Sequence, residues 1–309
     1  GADQDPLFSM LEGSTGLSIQ NVFLVHELDH ALTDQHFDLL HLPLNDKQNG
    51  DRAKAADCVV EGDATWVMLR YLYTELSVPQ AQRNQMDDLM MSMTVGKSLM
   101  GQVAPDFLEE NLLIPYLGGL HFVKAVYEKE GIEGVNALYR RPPASMEQVL
   151  HPEKYLNGND PPVAVSVPEM PAWTRRGWKR TSSGVWGEFD TRLILEAWGL
   201  SREKAVKAAE GWGGDAYSVY QSPSGKRGFI WATVWDTLQG AEKFESALRS
   251  VASIKVQATG KGVIITSGGP QENDRPQNSR PAGKAETGKT AGLRAVEVDP
   301  QDSIRRIEG

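Results

Sequence analysis

The chain has 309 residues, of which 40% are hydrophobic and 24% charged, a balance typical of a globular protein with one or two domains. Its 41 acidic residues outnumber 32 basic ones and give a formal net charge of −9, and no basic stripe is interleaved with aromatic residues, which argues against nucleic acid as a partner. No run of about 18 to 20 apolar residues predicts a membrane span, and the single cysteine, Cys58, predicted to be a buried thiol, excludes an intramolecular disulfide.

Two long helices are predicted near the start of the chain. Residues 18–40 form the first, because their apolar residues recur at helical spacing and predict one buried face. That face is expected to contain Val22, Phe23, Val25, Leu28, Ala31 and Leu32. A polar turn at residues 45–51 precedes a second helix over about residues 51–77, and two long helices joined by a short loop are expected to pack antiparallel.

The first helix carries His26-Glu27-Leu28-Asp29-His30, an H-E-x-x-H motif in the helical setting that the motif requires. Residues i and i+4 share a helix face, so the imidazoles of His26 and His30 can bind one metal ion. Glu27 lies about 100° around the helix from His26, where it cannot easily be a ligand but can reach a water molecule at the metal. The motif therefore predicts a zinc hydrolase with Glu27 as the general base.

Catalytic zinc usually has three protein ligands, and two residues compete for the third place. His36 fits the metzincin spacing H-E-x-x-H-x-x-G-x-x-H, but Thr33 stands where that motif has glycine. A β-branched threonine is poorly suited to the left-handed turn that would bring His36 back to the metal. Glu61 on the second helix is the preferred ligand, because an antiparallel pair places it about 15 Å from the connecting loop, level with the histidines.

Carboxylates close to the expected ligands are candidates to orient the histidines. Zinc-bound histidines commonly donate their other ring N–H to a carboxylate or a carbonyl group, which fixes the tautomer. Asp34, Asp57 and Asp63 are the candidates, since each is near a ligand along its helix. The alternative for each is a solvated aspartate on a helix surface.

Hydrolysis also needs a hydrogen-bond donor for the oxyanion of a tetrahedral intermediate. His151, in Leu150-His151-Pro152, is the candidate for this catalytic role, and Tyr139 and Tyr155 are the alternatives. A packed loop residue is the competing interpretation of His151. His41 and His121 are expected at the surface or in packing contacts.

The remaining elements divide the chain into a helical half and a mixed half. The helical half continues with a Met-rich segment over residues 78–102 and two helices within residues 106–139. Seven prolines then make residues 140–171 irregular. A small α+β module begins near residue 178. Its predicted helices cover residues 187–199, 201–211 and 241–251, and its strands cover residues 216–221, 228–236, 254–259 and 262–266.

The predicted fold class is α+β, with a mainly helical zincin-like metal domain followed by the small α+β module. The helical zinc-binding domain is expected over residues 1–155, a Pro-rich linker over 156–177 and the α+β domain over 178–267. Residues 268–309 have almost no apolar residues before Leu293, which predicts a low-complexity, flexible tail.

The sequence H-E-L-D-H-A-L-T-D-Q-H-F-D at residues 26–38, followed by Val60-Glu61-Gly62-Asp63-Ala64, resembles a group of largely uncharacterised bacterial, often exported, gluzincin-like metallopeptidases. Their helix typically has H-E-L-T-H-A-L-Q-D-Q-H-F-D, and E-G-D-A follows. Residues 145–155, 211–215 and 233–236 are also similar, so the resemblance covers about residues 20–255. This chain departs from the group at Asp29, where threonine is usual, which puts a carboxylate beside the histidines.

The resemblance implies zinc as the cofactor, His26, His30 and Glu61 as its ligands, peptides or proteins as substrates, and an exported or cell-envelope location. The start Gly1-Ala2-Asp3 has neither a methionine nor a signal-peptide pattern and resembles a tag remnant joined to a trimmed or mature start. Two other functions compete with a peptidase. One is a catalytically inactive zincin-fold module for protein binding or assembly, and the other is a metal-dependent amidase for a non-protein or cell-wall substrate.

Overall fold

The computed structural model describes residues 16, 18–87, 106–158, 160–251 and 253–270. They form two compact units: a helical unit that ends at Pro162 but also includes residues 186–200, and a second unit made of residues 163–185 and the described residues from Ser201 to residue 270. Helices and an antiparallel sheet are both present, so the fold class is α+β, as predicted. None of the helices within the described ranges is long and apolar enough to cross a membrane.

The elements follow one another in this order. The helices are α1 (Ile19–Phe37), α2 (Gly50–Glu75), α3 (Asp106–Leu138), α4 (Met146–Leu150), α5 (Pro152–Leu156), α6 (Pro171–Arg175), α7 (Gly187–Ala197), α8 (Arg202–Ala209) and α9 (Leu238–Leu248). The strands are β1 (Lys179–Gly184), β2 (Trp212–Gln221), β3 (Arg227–Trp235), β4 (Ile254–Thr259) and β5 (Gly262–Ser267). A 3-10 turn follows α1 at Leu39–His41, and residues 80–87 are also helical.

Helix α2 is the centre of the helical unit and packs against α1, α3, α4 and α7. Its start is fixed by Asn49, whose side chain accepts a hydrogen bond from the backbone N–H of Arg52 at 2.9 Å. Cys58 is buried in this core, as predicted, with its sulfur 3.7 Å from Met146 Sδ. The buried apolar side chains of this core include Trp66, Leu69, Leu120, Phe122, Val126, Leu138, Met146 and Phe189.

Helices α2 and α3 run side by side in the same direction and touch backbone to backbone. Lys54 donates to Asn111 Oδ1 at 2.7 Å near one end of the contact, and Gly62 meets Gly119 further along. A Cβ atom on Gly119 would overlap the carbonyl oxygen of Cys58 and lie 2.9 Å from Gly62 Cα. Only glycine permits this approach, which fixes α3 beside the turn of α2 that carries Glu61.

The predicted buried face of α1 is wrong for most of its residues. Those that are exposed instead are Phe23, Leu28, Ala31 and Leu32. The residues that α1 does bury are Val22, His26, Asp29 and Thr33. The face of α1 that meets the rest of the unit is therefore mainly polar, and hydrophobic spacing alone selected the wrong side of the helix.

Helix α7 belongs to the helical unit, whereas the sequence-based division placed residues 187–199 in the α+β domain. Phe189 and Leu193 pack in the helical core. Arg192 forms an ion pair with Glu110 of α3 at 2.6 Å. The chain thus enters the second unit at residue 163, returns for α7 and leaves again, a path that no local sequence pattern indicates.

The second unit is built on a five-stranded antiparallel sheet with the strand order β1-β2-β3-β5-β4. The predicted hairpin of β4 and β5 closes around Gly260, whose φ of 57° lies in the left-handed region. Helix α9 covers one face, where Phe244 packs against Trp231 and Trp235. Strand β1 was not predicted, because its polar residues are exposed at the sheet edge and show no hydrophobic alternation.

Parts of the sequence-based predictions fall outside the described residues. This applies to the Met-rich segment beyond residue 87 and to the expected tail from residue 271. The irregular stretch 140–171 contains two short helices, α4 and α5, between its prolines.

The contact between α2 and α3 predicts the effect of adding one methyl group. Gly119→Ala should destabilise the protein by about 2–3 kcal/mol, because backbone atoms of α2 cannot make room. Gly240→Ala is the matched control in α9: its Cβ would meet its nearest neighbour at 3.4 Å, so stability should stay equal or rise. Urea denaturation followed by circular dichroism measures both, and equal stability of Gly119→Ala and the parent protein would contradict the packing account.

Candidate metal centre

Three side chains predicted as metal ligands converge at one point. His26 Nε2 lies 3.2 Å from Glu61 Oε2 and 3.0 Å from His30 Nε2. The remaining distance, from His30 Nε2 to Glu61 Oε2, is 3.4 Å. The two imidazole rings meet edge to face with centroids 4.6 Å apart. The contact of α1 with α2 thus places two ring nitrogens and one carboxylate oxygen in a small triangle.

The triangle has the dimensions of a tetrahedral zinc site. Zn–N and Zn–O bonds of about 2.0–2.1 Å at tetrahedral angles put neighbouring ligand atoms about 3.3 Å apart. The three separations of 3.0, 3.2 and 3.4 Å surround that value. Without a cation, two ring nitrogens at 3.0 Å can hydrogen-bond only if one of them carries a proton. The group can therefore hold a metal ion, and three protein ligands would leave the fourth tetrahedral position for another ligand.

The two histidines stabilise the ionised form of the Glu61 side chain. The hydrogen bond to Glu61 raises the pKa of His30 against the opposing effect of burial. Burial alone would raise the pKa of Glu61, but the hydrogen bonds from His26 and His30 outweigh it and lower that pKa to about 2. Glu61 is thus a carboxylate at neutral pH, which is the form that binds metal ions.

Glu27, the predicted general base, is adjacent to the group but not part of it. Its side chain is exposed, and its charge acts on both His30 and Tyr116. A carboxylate that stands beside the ligands without joining them remains available to take a proton. This placement fits the role that the motif predicts.

Tyr116 of α3 is a site residue that the sequence analysis missed. Its ring stacks on His26 with centroids 6.0 Å apart and an interplanar angle of 27°. Burial, followed by the charges of Glu61 and Asp57, raises the pKa of its hydroxyl. The side chain is still 40% exposed. Tyr116 therefore offers a protonated phenol beside the ligands, on the side open to solvent.

A signal for Tyr116 is present in the sequence. The pair Gly118-Gly119 inside a helix favours a close approach by another backbone. Gly119 meets Gly62, the residue after Glu61, and Tyr116 lies about one turn before Gly119. Recognising which helix the glycine pair touches would have placed the tyrosine next to the ligand.

His36, the competing third ligand, lies outside the group. Its side chain is exposed and its Nδ1 donates to the carbonyl oxygen of Leu32 at 2.9 Å. The helix continues without a break through Thr33 to Phe37, so His36 does not turn back toward His30. The absence of the metzincin glycine accounts for this geometry.

The three candidate aspartates have different surroundings. Asp34 accepts the backbone N–H of Leu39 at 3.1 Å and stabilises the end of α1. Asp63 is buried and accepts from the hydroxyl of Tyr139 at 2.7 Å. Burial and the charge of Glu61 raise the pKa of Asp57, while His30 lowers it, but within the described residues no aspartate accepts from His30 Nδ1, which has no hydrogen-bond partner.

The two tyrosines considered as oxyanion donors are engaged elsewhere. Tyr139 is buried, and its ring stacks on Phe37 with centroids 4.7 Å apart. Burial, followed by the charge of Asp29, raises the pKa of Asp63 to about 7. Because Tyr139 donates to Asp63, it belongs to the same buried polar cluster. Tyr155 donates to the carbonyl oxygen of Arg141 at 2.7 Å. The prediction of either as an oxyanion donor has no support in these contacts.

His151 pairs with Glu188 of α7 rather than with the ligand group. Its Nε2 lies 2.9 Å from Glu188 Oε1, and this hydrogen bond raises the pKa of His151 against the effect of burial. Its described contacts connect the α4–α5 corner to α7 and do not lead to the ligand triangle. The catalytic role of His151 stays a prediction, and Tyr116, which stacks on His26, is a donor that lies beside the expected ligands.

Comparison with known proteins gives one partial match. A family model described as a domain of unknown function (DUF8575) matches residues 175–275. That range contains all five strands, β1 to β5, and lies outside α1 and α2, the two helices that carry the ligand group. No curated protein and no solved structure is significantly similar to this chain. The geometry of the ligand group is therefore the observation that bears on the function of this chain.

The pair His151–Glu188 predicts a pH-dependent contribution to stability. Because the pKa of His151 is raised in the folded protein, the contribution is fully present below the unfolded value of about 6.5 and disappears as pH rises through the folded value. His151→Gln should therefore cost up to about 1 kcal/mol near pH 5.5 and almost nothing near pH 9. Urea unfolding at both pH values measures the difference, and an equal cost at the two would contradict the assignment.

Proposed function

We propose that the protein is a zinc-dependent peptidase of the gluzincin type, with the helical unit as its zincin-like metal domain. The observation that carries the proposal is the triangle of His26, His30 and Glu61, whose sides of 3.0–3.4 Å suit one tetrahedral ion. Glu27 and Tyr116 flank the triangle with a base and a hydrogen-bond donor. An exported or cell-envelope location, implied by the family resemblance, is part of the same proposal.

His26, His30 and Glu61 would hold the ion. When bound, zinc supplies a Lewis acid that acidifies a water molecule and polarises a substrate carbonyl group. Glu27 takes one proton from the attacking water, whose oxygen forms a bond to the carbonyl carbon. As the C–N bond breaks, Glu27 delivers the proton to the leaving amine nitrogen. The products are an amine and a carboxylic acid, which carries the second proton of the water and releases it to solvent or to the amine.

Tyr116 has the position that oxyanion stabilisation requires. Its phenol remains protonated, since burial and the carboxylates around it raise its pKa. A protonated donor beside the ligands can stabilise negative charge that develops on the carbonyl oxygen. The same hydroxyl can donate to Glu61 before substrate binds, which would hold it in place.

Metal content is the first test of this proposal. Elemental analysis after incubation with zinc and gel filtration should give about one zinc per chain. Glu61→Ala should lose this zinc, whereas His36→Ala, the matched histidine control, should keep it. Zinc should also raise the melting temperature of the parent protein, because it binds only the folded state. A parent protein without zinc would contradict the proposal.

Catalysis is tested separately in the zinc-loaded protein. Glu27→Gln should keep zinc and lose cleavage of a peptide library by a factor of about 10² to 10⁴, since the base is gone. Tyr116→Phe should lower kcat by about 10² to 10³ with little change in KM, because the lost hydrogen bond acts in the transition state. Tyr155→Phe is the matched control and should retain full activity.

Two outcomes would redirect the assignment. Zinc binding without cleavage of any peptide in the parent protein would favour a non-catalytic module for protein binding. Cleavage of non-peptide amides alone would favour an amidase. Full activity of Tyr116→Phe would remove the tyrosine from the mechanism without affecting the zinc assignment.

A further inference from the structure

An exposed row of apolar side chains runs along α3 toward the metal group. Leu108, Leu112 and Tyr116 are 44%, 61% and 40% exposed, and their spacing of four residues puts them on one side of the helix. Helical dihedral angles continue through this stretch as far as Gly131, although Pro115, between Leu112 and Tyr116, has no backbone N–H to donate to residue 111. We call these three residues the apolar ledge. Two helical turns, about 11 Å, match about three residues of an extended peptide.

The apolar ledge begins at the metal group itself. Tyr116 stacks on His26 with ring centroids 6.0 Å apart, and the charge of Glu61 acts on its hydroxyl, so one end of the ledge lies beside the expected ligands. Leu112 lies one turn, about 5.4 Å along the helix, from Tyr116. A side chain next to a bond held at the ligands can therefore pack on Leu112.

Another row of exposed leucines provides a contrast. Leu24, Leu28 and Leu32 of α1 are also about half exposed and share one side of their helix. Leu28 is about 200° around α1 from His26, so this row faces away from the ligands. Exposed leucines are common on protein surfaces, and the position beside the ligands is what distinguishes the ledge on α3.

The charges beside the ledge restrict what can bind there. Three carboxylates, Glu27, Asp57 and Glu61, are close enough to act on Tyr116. A zinc ion would bring two positive charges against these three negative ones, and the net charge of about −1 that remains would disfavour an acidic side chain. The apolar surface and the negative charge therefore both favour an apolar side chain over an acidic one.

We propose that the apolar ledge is the substrate-binding surface of this site, and that it selects peptides with a bulky apolar residue next to the scissile bond while disfavouring acidic residues there. This inference rests on the proposed zinc peptidase function. It adds the substrate class, which follows from the position of Leu112 and Tyr116 beside the ligands.

The test uses amino-acid hydroxamates, which anchor at the metal and carry one side chain each. Their affinities for the zinc-loaded protein are measured by calorimetry, after metal analysis has verified zinc. Leucine hydroxamate should bind about tenfold more tightly than glycine hydroxamate, because its side chain is partly removed from water. Aspartate hydroxamate should bind more weakly than glycine hydroxamate.

Two matched variants test whether the preference for leucine hydroxamate arises at Leu112. Leu112→Ser should reduce the leucine-to-glycine ratio to about twofold, while Leu28→Ser, an equally exposed leucine at 57%, should leave it unchanged. Circular dichroism and zinc content verify that both variants fold. Equal affinity for leucine and glycine hydroxamates, or the same loss of selectivity in both variants, would overturn the proposal.

The outcomes separate this inference from the function on which it rests. Peptide cleavage without any apolar preference would overturn the ledge and leave the peptidase in place. Selective hydroxamate binding without peptide cleavage would support the ledge and overturn the peptidase. A protein that binds no zinc would overturn both.

Discussion

The contact of α1 with α2 is polar at its centre, and the geometry of the helical unit depends on how that polarity is compensated. Charged side chains lose hydration when they are buried, and the loss must be offset by pairing or by a cation. His26 and His30 meet the carboxylate of Glu61, and Tyr139 donates to buried Asp63. Two ring nitrogens at 3.0 Å need a shared proton or a shared ion between them. A zinc ion would satisfy all three inner atoms at once, which is why the proposed function follows from the packing.

A second constraint positions the rest of the site. The backbones of α2 and α3 touch at Gly62 and Gly119, and neither position has room for a Cβ atom. This contact sets α3 beside Glu61 and brings Tyr116 against His26. The same helix then presents Leu112 to solvent one turn away. The close contact of two glycines, which have no functional side chain, thus positions the proposed ligand Glu61, the proposed oxyanion donor and the proposed substrate-binding surface.

Local patterns in the sequence were sufficient to predict that His26, His30 and Glu61 lie together, and insufficient for the residues around them. The spacing of His26 and His30 follows from helix geometry, and the missing glycine at Thr33 argued correctly against His36. Glu61 was placed by the length of the connection between two helices. Tyr116 could not be found in this way, because its position depends on which helix Gly119 contacts. The buried side of α1 was mistaken for similar reasons: its contact face is polar, and hydrophobic periodicity cannot identify a polar interface. The return of α7 to the helical unit is equally non-local.

The most direct test of the central claim is zinc X-ray absorption spectroscopy on the zinc-loaded protein, since it reports the ligand atoms rather than the stoichiometry alone. The account predicts four nitrogen or oxygen neighbours at about 2.0–2.1 Å, with the scattering pattern of two imidazoles and no sulfur. In Glu61→Ala this spectrum should be lost or rearranged. A sulfur neighbour at about 2.3 Å, which would implicate Cys58, or a shell of oxygens without imidazole would contradict the assignment of His26, His30 and Glu61.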